Sequence, residues 1–145
     1  MSSPRRSGPG RLIIAVYAVF VVGAVSRASF QIATKWEQAP VAYALSALAG
    51  GVYVLATLAL TVPGRRAWWV ALVAISTELL GVLAVGTWSL LDPATFPDDT
   101  VWSGYGRGYL YVPLVLPVAG LWWLWRTRPS PARAEVSSTG SRPAR

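Results

Sequence analysis

The residue best placed to do chemistry is Glu78, a lone carboxylate inside the apolar run 67–91. If a helix begins at Ala67, Glu78 lies about 16 Å along it, near the middle of a bilayer core about 30 Å thick. A carboxylate at that depth is costly and usually faces the interior of a helical bundle, where it can carry a proton or a cation. Ala74 and Gly81 share its face of the helix, and small residues there predict close helix packing.

Arg27 is the predicted partner of Glu78. It follows an uncharged run, 12–26, that is too short to span a bilayer, so the first helix is expected to continue through Arg27. Gln31 lies on the same face one turn further on. The sequence therefore predicts an intramembrane pair of Arg27 with Glu78, to which Tyr53 of the second helix donates a hydrogen bond. Two simpler arrangements stay open: Arg27 extends to the outer headgroups, and Glu78 is a protonated, hydrogen-bonded contact between helices.

The second apolar run carries two rows of small residues at helical spacing. Ser46 and Gly50 lie on one row, and Ala47 and Gly51 lie on the next. Such rows let two helix backbones approach closely, whether the partner helix belongs to the same chain or to another. We expect packing within the bundle.

The residue types missing from the chain exclude most enzyme chemistry. There is no cysteine and no histidine, which removes thiolate chemistry and the commonest general base and metal ligand. Asp98 and Asp99 are too few for a calcium site. The alternation of Gly104, Gly106 and Gly108 is not a nucleotide-binding fingerprint. We expect no catalytic residue, no metal and no cofactor.

The elements that position these residues are predicted to be membrane spans. The chain is 54% hydrophobic and 13% charged, whereas a soluble domain carries about 25% charged residues. Four apolar runs predict spans at about 12–34, 40–62, 67–91 and 109–125. The fold class is therefore predicted to be all-α, a four-helix transmembrane bundle occupying residues 12–126.

The segments outside the spans are short. Residues 1–11 and 127–145 are basic and rich in Pro, Gly and Ser, which predicts a disordered lead and tail. Residues 92–108 are expected to form a solvated loop with interfacial aromatic residues. Pro113 and Pro117, within the last span, predict a kink there.

The basic residues predict the orientation. Ten of the 13 would lie on the side of both termini, which the positive-inside rule makes cytoplasmic, for a multi-pass protein of the plasma membrane. The net charge of +7 is explained in this way without nucleic acid. The three basic residues predicted on the outer side are Arg27, Lys35 and Arg107, and the outer tryptophans are Trp36, Trp88 and Trp102.

Two stretches resemble small four-span integral membrane proteins of actinobacteria, a family with no established activity. The resemblance covers most of residues 12–125 and therefore implies a membrane protein without implying a mechanism. The size and number of spans also resemble small multidrug-resistance transporters. Those carry an essential glutamate in the first span, where this chain has Arg27, and this argues against membership. The two stretches are SRASFQIATKWEQAPVAYALSALAGGVYVLAT and TELLGVLAVGTWSLLDPATFPDDTVWSGYGRGYLYVPLVLPVAGLWWLW.

Two functions are compatible with these features. The first is a non-enzymatic accessory or structural component of the cell envelope, which follows from the lack of catalytic groups. The alternative is a small oligomeric proton- or ion-coupled transporter that uses Glu78. The partners expected are the lipid bilayer and either a membrane protein or further copies of the chain.

Overall fold

A computed structural model describes residues 8–130, and these are almost entirely helical. The four α-helices are α1 (Pro9–Lys35), α2 (Pro40–Thr61), α3 (Arg65–Leu91) and α4 (Val112–Arg126). The structure is 85% helical, without a strand in the part of the chain that it describes. The predicted all-α bundle is confirmed.

The helix boundaries follow from local sequence. Proline occupies the first turn of α1 and of α2, where its missing N–H costs no hydrogen bond. Residues 9–11, predicted to belong to a disordered lead, are the first turn of α1, and the Arg11 amide donates to the Gly8 carbonyl. Gly64, at a φ of 115°, makes the tight turn between α2 and α3. The rest of the predicted lead and most of the predicted tail lie outside the described residues.

Helices α1, α2 and α3 are each long and apolar enough to cross a membrane. They have 27, 22 and 27 residues, which at 1.5 Å per residue is about 40, 33 and 40 Å. Large apolar side chains cover their outward faces; Val19, Val73 and Leu80 are each more than 60% exposed. These features are those of a multi-pass membrane protein.

The bundle follows the chain order. Helix α1 packs on α2, α2 on α3 and α3 on α4, and α1 also meets α4. Small residues make the approaches close: a Cβ built on Gly50 would lie 3.5 Å from a Val25 methyl, and one on Gly120 would lie 3.2 Å from Ile75. Consecutive helices are antiparallel, so α1 and α3 run in the same direction.

The α3–α4 segment (residues 92–111) folds into the bundle, contrary to the predicted solvated loop. Residues 100–104 are all buried. A 3-10 turn, Ser103–Tyr109, precedes α4, and the two are bent by 99°. The last helix therefore begins three residues later than predicted and has only 15 residues, about 22 Å.

The bend lies before α4 instead of at its prolines. Pro113 is in the first turn of α4, where it breaks no hydrogen bond, and only Pro117 is inside the helix. The chain reverses at Leu110 and Tyr111, two successive residues in the left-handed region, at φ of 56° and 59°. Non-glycine residues rarely adopt this conformation, so tertiary contacts must hold it.

Candidate functional site

Glu78 is completely buried in the middle of the bundle. The Tyr17 hydroxyl, from α1, donates a hydrogen bond of 2.6 Å to Glu78 Oε2. The other oxygen, Oε1, has no hydrogen-bond partner among the residues that the structure describes. Both side chains are 0% exposed. Within residues 8–130, one hydrogen bond therefore links α1 to α3 at this carboxyl group, and no basic side chain of that range makes a hydrogen bond to it.

All four helices approach this carboxyl group. The Tyr17 ring lies 6.3 Å from the Tyr53 ring of α2, centroid to centroid. A Cβ built on Gly120 of α4 would lie 3.4 Å from the Tyr17 hydroxyl oxygen. We call Glu78, Tyr17 and Tyr53 the central site.

Trp102 of the α3–α4 segment closes the central site on one side. Its indole N–H donates to the Tyr53 hydroxyl at 3.1 Å, and it is 1% exposed. Its ring lies against Gly81, where a Cβ would be only 2.7 Å from two ring atoms. Gly81 is three residues from Glu78, about 4.5 Å along the helix, and ten residues from Leu91, the end of α3, about 15 Å. The α3–α4 segment therefore reaches deep into the bundle.

Hydrogen bonds within the segment hold the Trp102 backbone. The amides of Trp102 and Ser103 both donate to Thr100 Oγ1, at 3.1 and 3.0 Å, and the Thr100 amide donates to Ser103 Oγ at 2.9 Å. Five residues beyond Gly81 on α3, Gly86 leaves room for Tyr105, since a Cβ there would lie 2.8 Å from the Tyr105 amide nitrogen. The glycines of α3 thus form a slot for the aromatic residues of the segment.

Arg27 does not pair with Glu78, and that prediction is wrong. Its guanidinium donates to the Tyr109 hydroxyl and, at 2.8 Å, to the Asp99 carbonyl oxygen. Asp98 lies 4.0 Å away. The residue of α1 that does reach Glu78, Tyr17, precedes Arg27 by ten residues, about 15 Å of helix. An arginine side chain cannot bridge that distance.

Arg27 instead belongs to a second polar cluster, at the end of the bundle where the α1–α2 connection lies. The Tyr43 hydroxyl of α2 donates to Asp98 Oδ2 at 3.0 Å. Arg27 and Tyr43 therefore bind the same short stretch, Asp98–Asp99, from two helices. We call Arg27, Tyr43, Asp98 and Tyr109 the latch, because they connect the α3–α4 segment to α1 and α2.

The other predicted site residues are distributed over the bundle. Tyr53 is in the central site, but it accepts its hydrogen bond from Trp102. Gln31 and Ser46 are buried, at 6% and 1% exposure, and Gln31 Oε1 and Ser46 Oγ lack hydrogen-bond partners among the described residues. Neither is part of the contacts around Glu78.

The predicted packing residues do not share one surface. Gly50 packs on α1, and Ala74 is buried in the core. Gly81 packs on Trp102 instead of another helix. Ala47 and Gly50 line a groove of 340 Å³ between α1 and α2, whereas Gly51 is exposed with nothing near its Cβ position.

Sequence reasoning missed Tyr17, which donates to Glu78, and Trp102, which donates to Tyr53. Trp102 was assigned to the outer aromatic belt, and only the fold places it inside. A signal for Tyr17 existed: it is the one residue with a polar head group in the uncharged stretch 12–25, and a buried tyrosine hydroxyl usually finds a hydrogen-bond partner.

The titratable groups of the central site are the Glu78 carboxyl group and the hydroxyls of Tyr17 and Tyr53. No cluster of three acidic residues suited to a metal occurs in residues 8–130. Comparison of the chain with known protein families, characterised proteins and solved structures finds no match.

Proposed function

We propose that this is a small proton- or ion-coupled membrane transporter in which Glu78 is the proton-binding group. One observation carries the proposal: Glu78 is wholly buried at mid-span, and one of its carboxyl oxygens has no hydrogen bond from the described residues. Ionisable residues inside a membrane are costly, and they commonly mark proton relays and ion pathways.

The hydrogen bond from Tyr17 links the charge of Glu78 to helix packing. An ionised carboxylate accepts a strong hydrogen bond from the Tyr17 hydroxyl, because a hydrogen bond to a charged group is worth about 1.5–3 kcal/mol. A neutral carboxyl group accepts more weakly and can itself donate from its second oxygen. Loss or gain of the proton therefore changes the strength of the contact between α1 and α3.

Access to Glu78 from the latch side requires the α3–α4 segment to move. Trp102 lies one helical turn from Glu78 and fills the slot at Gly81. The latch holds the segment by contacts at its exposed end, since the Arg27 and Asp98 side chains are 33% and 42% exposed. In this proposal the arrangement is the closed state, and opening requires the contacts of the latch to break. Four helices are few to enclose a path, so this function implies an oligomer.

A second candidate is the accessory or structural component of the cell envelope. It is favoured by the groove between α1 and α2, which small residues form on the outside of the bundle, including Ala28, Ser29 and Ala33. Such a surface can receive a helix of another membrane protein. In that case Glu78 is a neutral, hydrogen-bonded contact between helices.

Infrared spectroscopy of the protein in lipid vesicles separates the two functions. We expect a carboxyl band that weakens as the pH rises and that is absent in Glu78→Gln, whereas Glu37→Gln, in the exposed α1–α2 connection, retains it. In vesicles containing a pH-sensitive dye, the wild type should dissipate an imposed pH gradient and Glu78→Gln should not. A carboxyl band that persists unchanged at every pH, with equal proton flux in both proteins, would overturn the proposal.

A further inference from the structure

One end of the bundle is strongly basic. Trp68, near the start of α3, contacts Leu124, near the end of α4, at this end. Because consecutive packed helices are antiparallel, the start of α1 and the α2–α3 turn lie at the same end. Every acidic residue of the described chain is elsewhere, in the central site or at the latch end. The arginines at this basic end are Arg11, Arg65, Arg66, Arg126 and Arg128.

Aromatic rings hold two of these arginines. The Arg128 guanidinium carbon lies 5.5 Å from the centre of the Trp68 ring and 5.7 Å from that of Trp125. The Arg126 guanidinium carbon lies 4.8 Å from the Trp122 ring. All three distances are within the range of a cation–π interaction, about 6 Å. The guanidinium groups are therefore positioned by rings of two helices before any ligand arrives.

Trp68 gives the arrangement a rigid base. It is 2% exposed, and its indole N–H donates to the Leu124 carbonyl at 3.0 Å. Trp125 and Trp122, in contrast, are 71% and 49% exposed. Arg128 thus lies between the fixed Trp68 ring and the exposed Trp125 ring, whereas Arg126 lies over the exposed Trp122 ring.

We propose that Arg128 and Arg126 bind the phosphate of an anionic phospholipid at the ends of α3 and α4. A cation–π contact does not use the N–H groups of a guanidinium as hydrogen-bond donors, and these groups match phosphate oxygens in a bidentate geometry. No acidic side chain of the described chain at this end competes for them. We call this the lipid clamp.

The surrounding surface selects a lipid over a soluble anion. Below the clamp, exposed apolar side chains continue along both helices; Val73 of α3 is 61% exposed and Val118 of α4 is 54% exposed. An acyl chain attached to the bound phosphate would cover this surface, whereas a free anion would leave it bare. Tryptophan and arginine together are also typical of the headgroup level of a membrane.

The test is lipid binding by the purified full chain, read by native mass spectrometry. We expect phosphatidylglycerol to bind more tightly than phosphatidylcholine, and Arg128→Gln to weaken phosphatidylglycerol binding about fivefold, the factor expected for one basic residue at an anionic surface. Arg107→Gln, at the other end, is the charge-matched control. Trp125→Leu keeps every charge but removes one ring of the clamp and should also weaken binding.

Three results would overturn the lipid clamp: equal binding of both lipids, equal loss in Arg128→Gln and Arg107→Gln, or full competition by inorganic phosphate. The last would identify a soluble anion as the ligand. Glu78→Gln should bind lipid as the wild type does, so failure of the transport proposal and failure of the lipid clamp are distinguishable.

Discussion

Replacing Gly81 with alanine tests whether the α3–α4 segment lies inside the bundle. The added methyl group would be 2.7 Å from two atoms of the Trp102 ring. The ring cannot easily retreat, because it is 1% exposed, its N–H is bonded to Tyr53, and Thr100 fixes its backbone. Either α3 or the segment must shift.

The size of the effect follows from two opposing terms. Overpacking a filled interior costs about 1–3 kcal/mol, whereas replacing a glycine within a helix gains about 0.5–1 kcal/mol. Gly51→Ala is the matched control, since nothing lies within 4 Å of its Cβ position. Gly51→Ala therefore has the favourable helix term without a steric clash. The difference in unfolding free energy between the two variants should therefore equal the cost of overpacking at Gly81, about 1–3 kcal/mol.

Reversible unfolding in mixed micelles, followed by circular dichroism, measures this difference. A second background confirms the cause: with Trp102→Leu the ring is gone, so adding Gly81→Ala should cost nothing, and the interaction energy of the double mutant should match the clash. If Gly81→Ala is as stable as Gly51→Ala, the α3–α4 segment does not occupy the slot, and the closed state described above is wrong.

The remaining predictions concern the central site and the latch. Tyr17→Phe should lower the unfolding free energy by about 1–3 kcal/mol, because it leaves a buried carboxyl group without its donor, and it should cost nothing in a Glu78→Leu background. Arg27→Gln should loosen the latch. The reporter is a single Val101→Cys, since the chain has no natural cysteine and Val101 is 2% exposed. Its reaction with maleimide should be about tenfold faster in Arg27→Gln, as expected for loss of a charged hydrogen bond. Lys35→Gln should leave that rate unchanged, and equal rates in both variants would show that Arg27 does not hold the segment.

The strained turn before α4 bears on the proposed opening of the α3–α4 segment. Tyr105, Leu110 and Tyr111 all have a positive φ, and such residues cost about 1–3 kcal/mol each where they are held. This cost is offset while Trp102 and the latch stay in place. In the proposed opening, release of the latch would let these three residues leave the left-handed region, so their backbone cost favours opening.

Composition and periodicity determined the helices. Apolar runs long enough to span a bilayer have few other stable conformations, because backbone groups in a lipid environment must be bonded within the segment. The predicted spans at 40–62 and 67–91 therefore match α2 and α3 within two residues. The same logic identified Glu78 as a residue facing the interior, since a charged group on the outside of α3 would be too costly.

Only the tertiary structure decided what Glu78 contacts. A count of residues along two helices placed Arg27 within reach, but it could not give the relative depth of α1 and α3, and Tyr17 is the residue at the right level. The α3–α4 segment is rich in Pro, Gly and aromatic residues and carries three Asp residues, a composition that predicts a solvated loop. Its burial depends on a slot formed by Gly81 and Gly86, residues that are distant in sequence from Trp102 and Tyr105. The local sequence pattern of a segment does not depend on which distant segment it contacts. The helices could therefore be predicted from the sequence, whereas the contacts of the site depend on the packing of the helices.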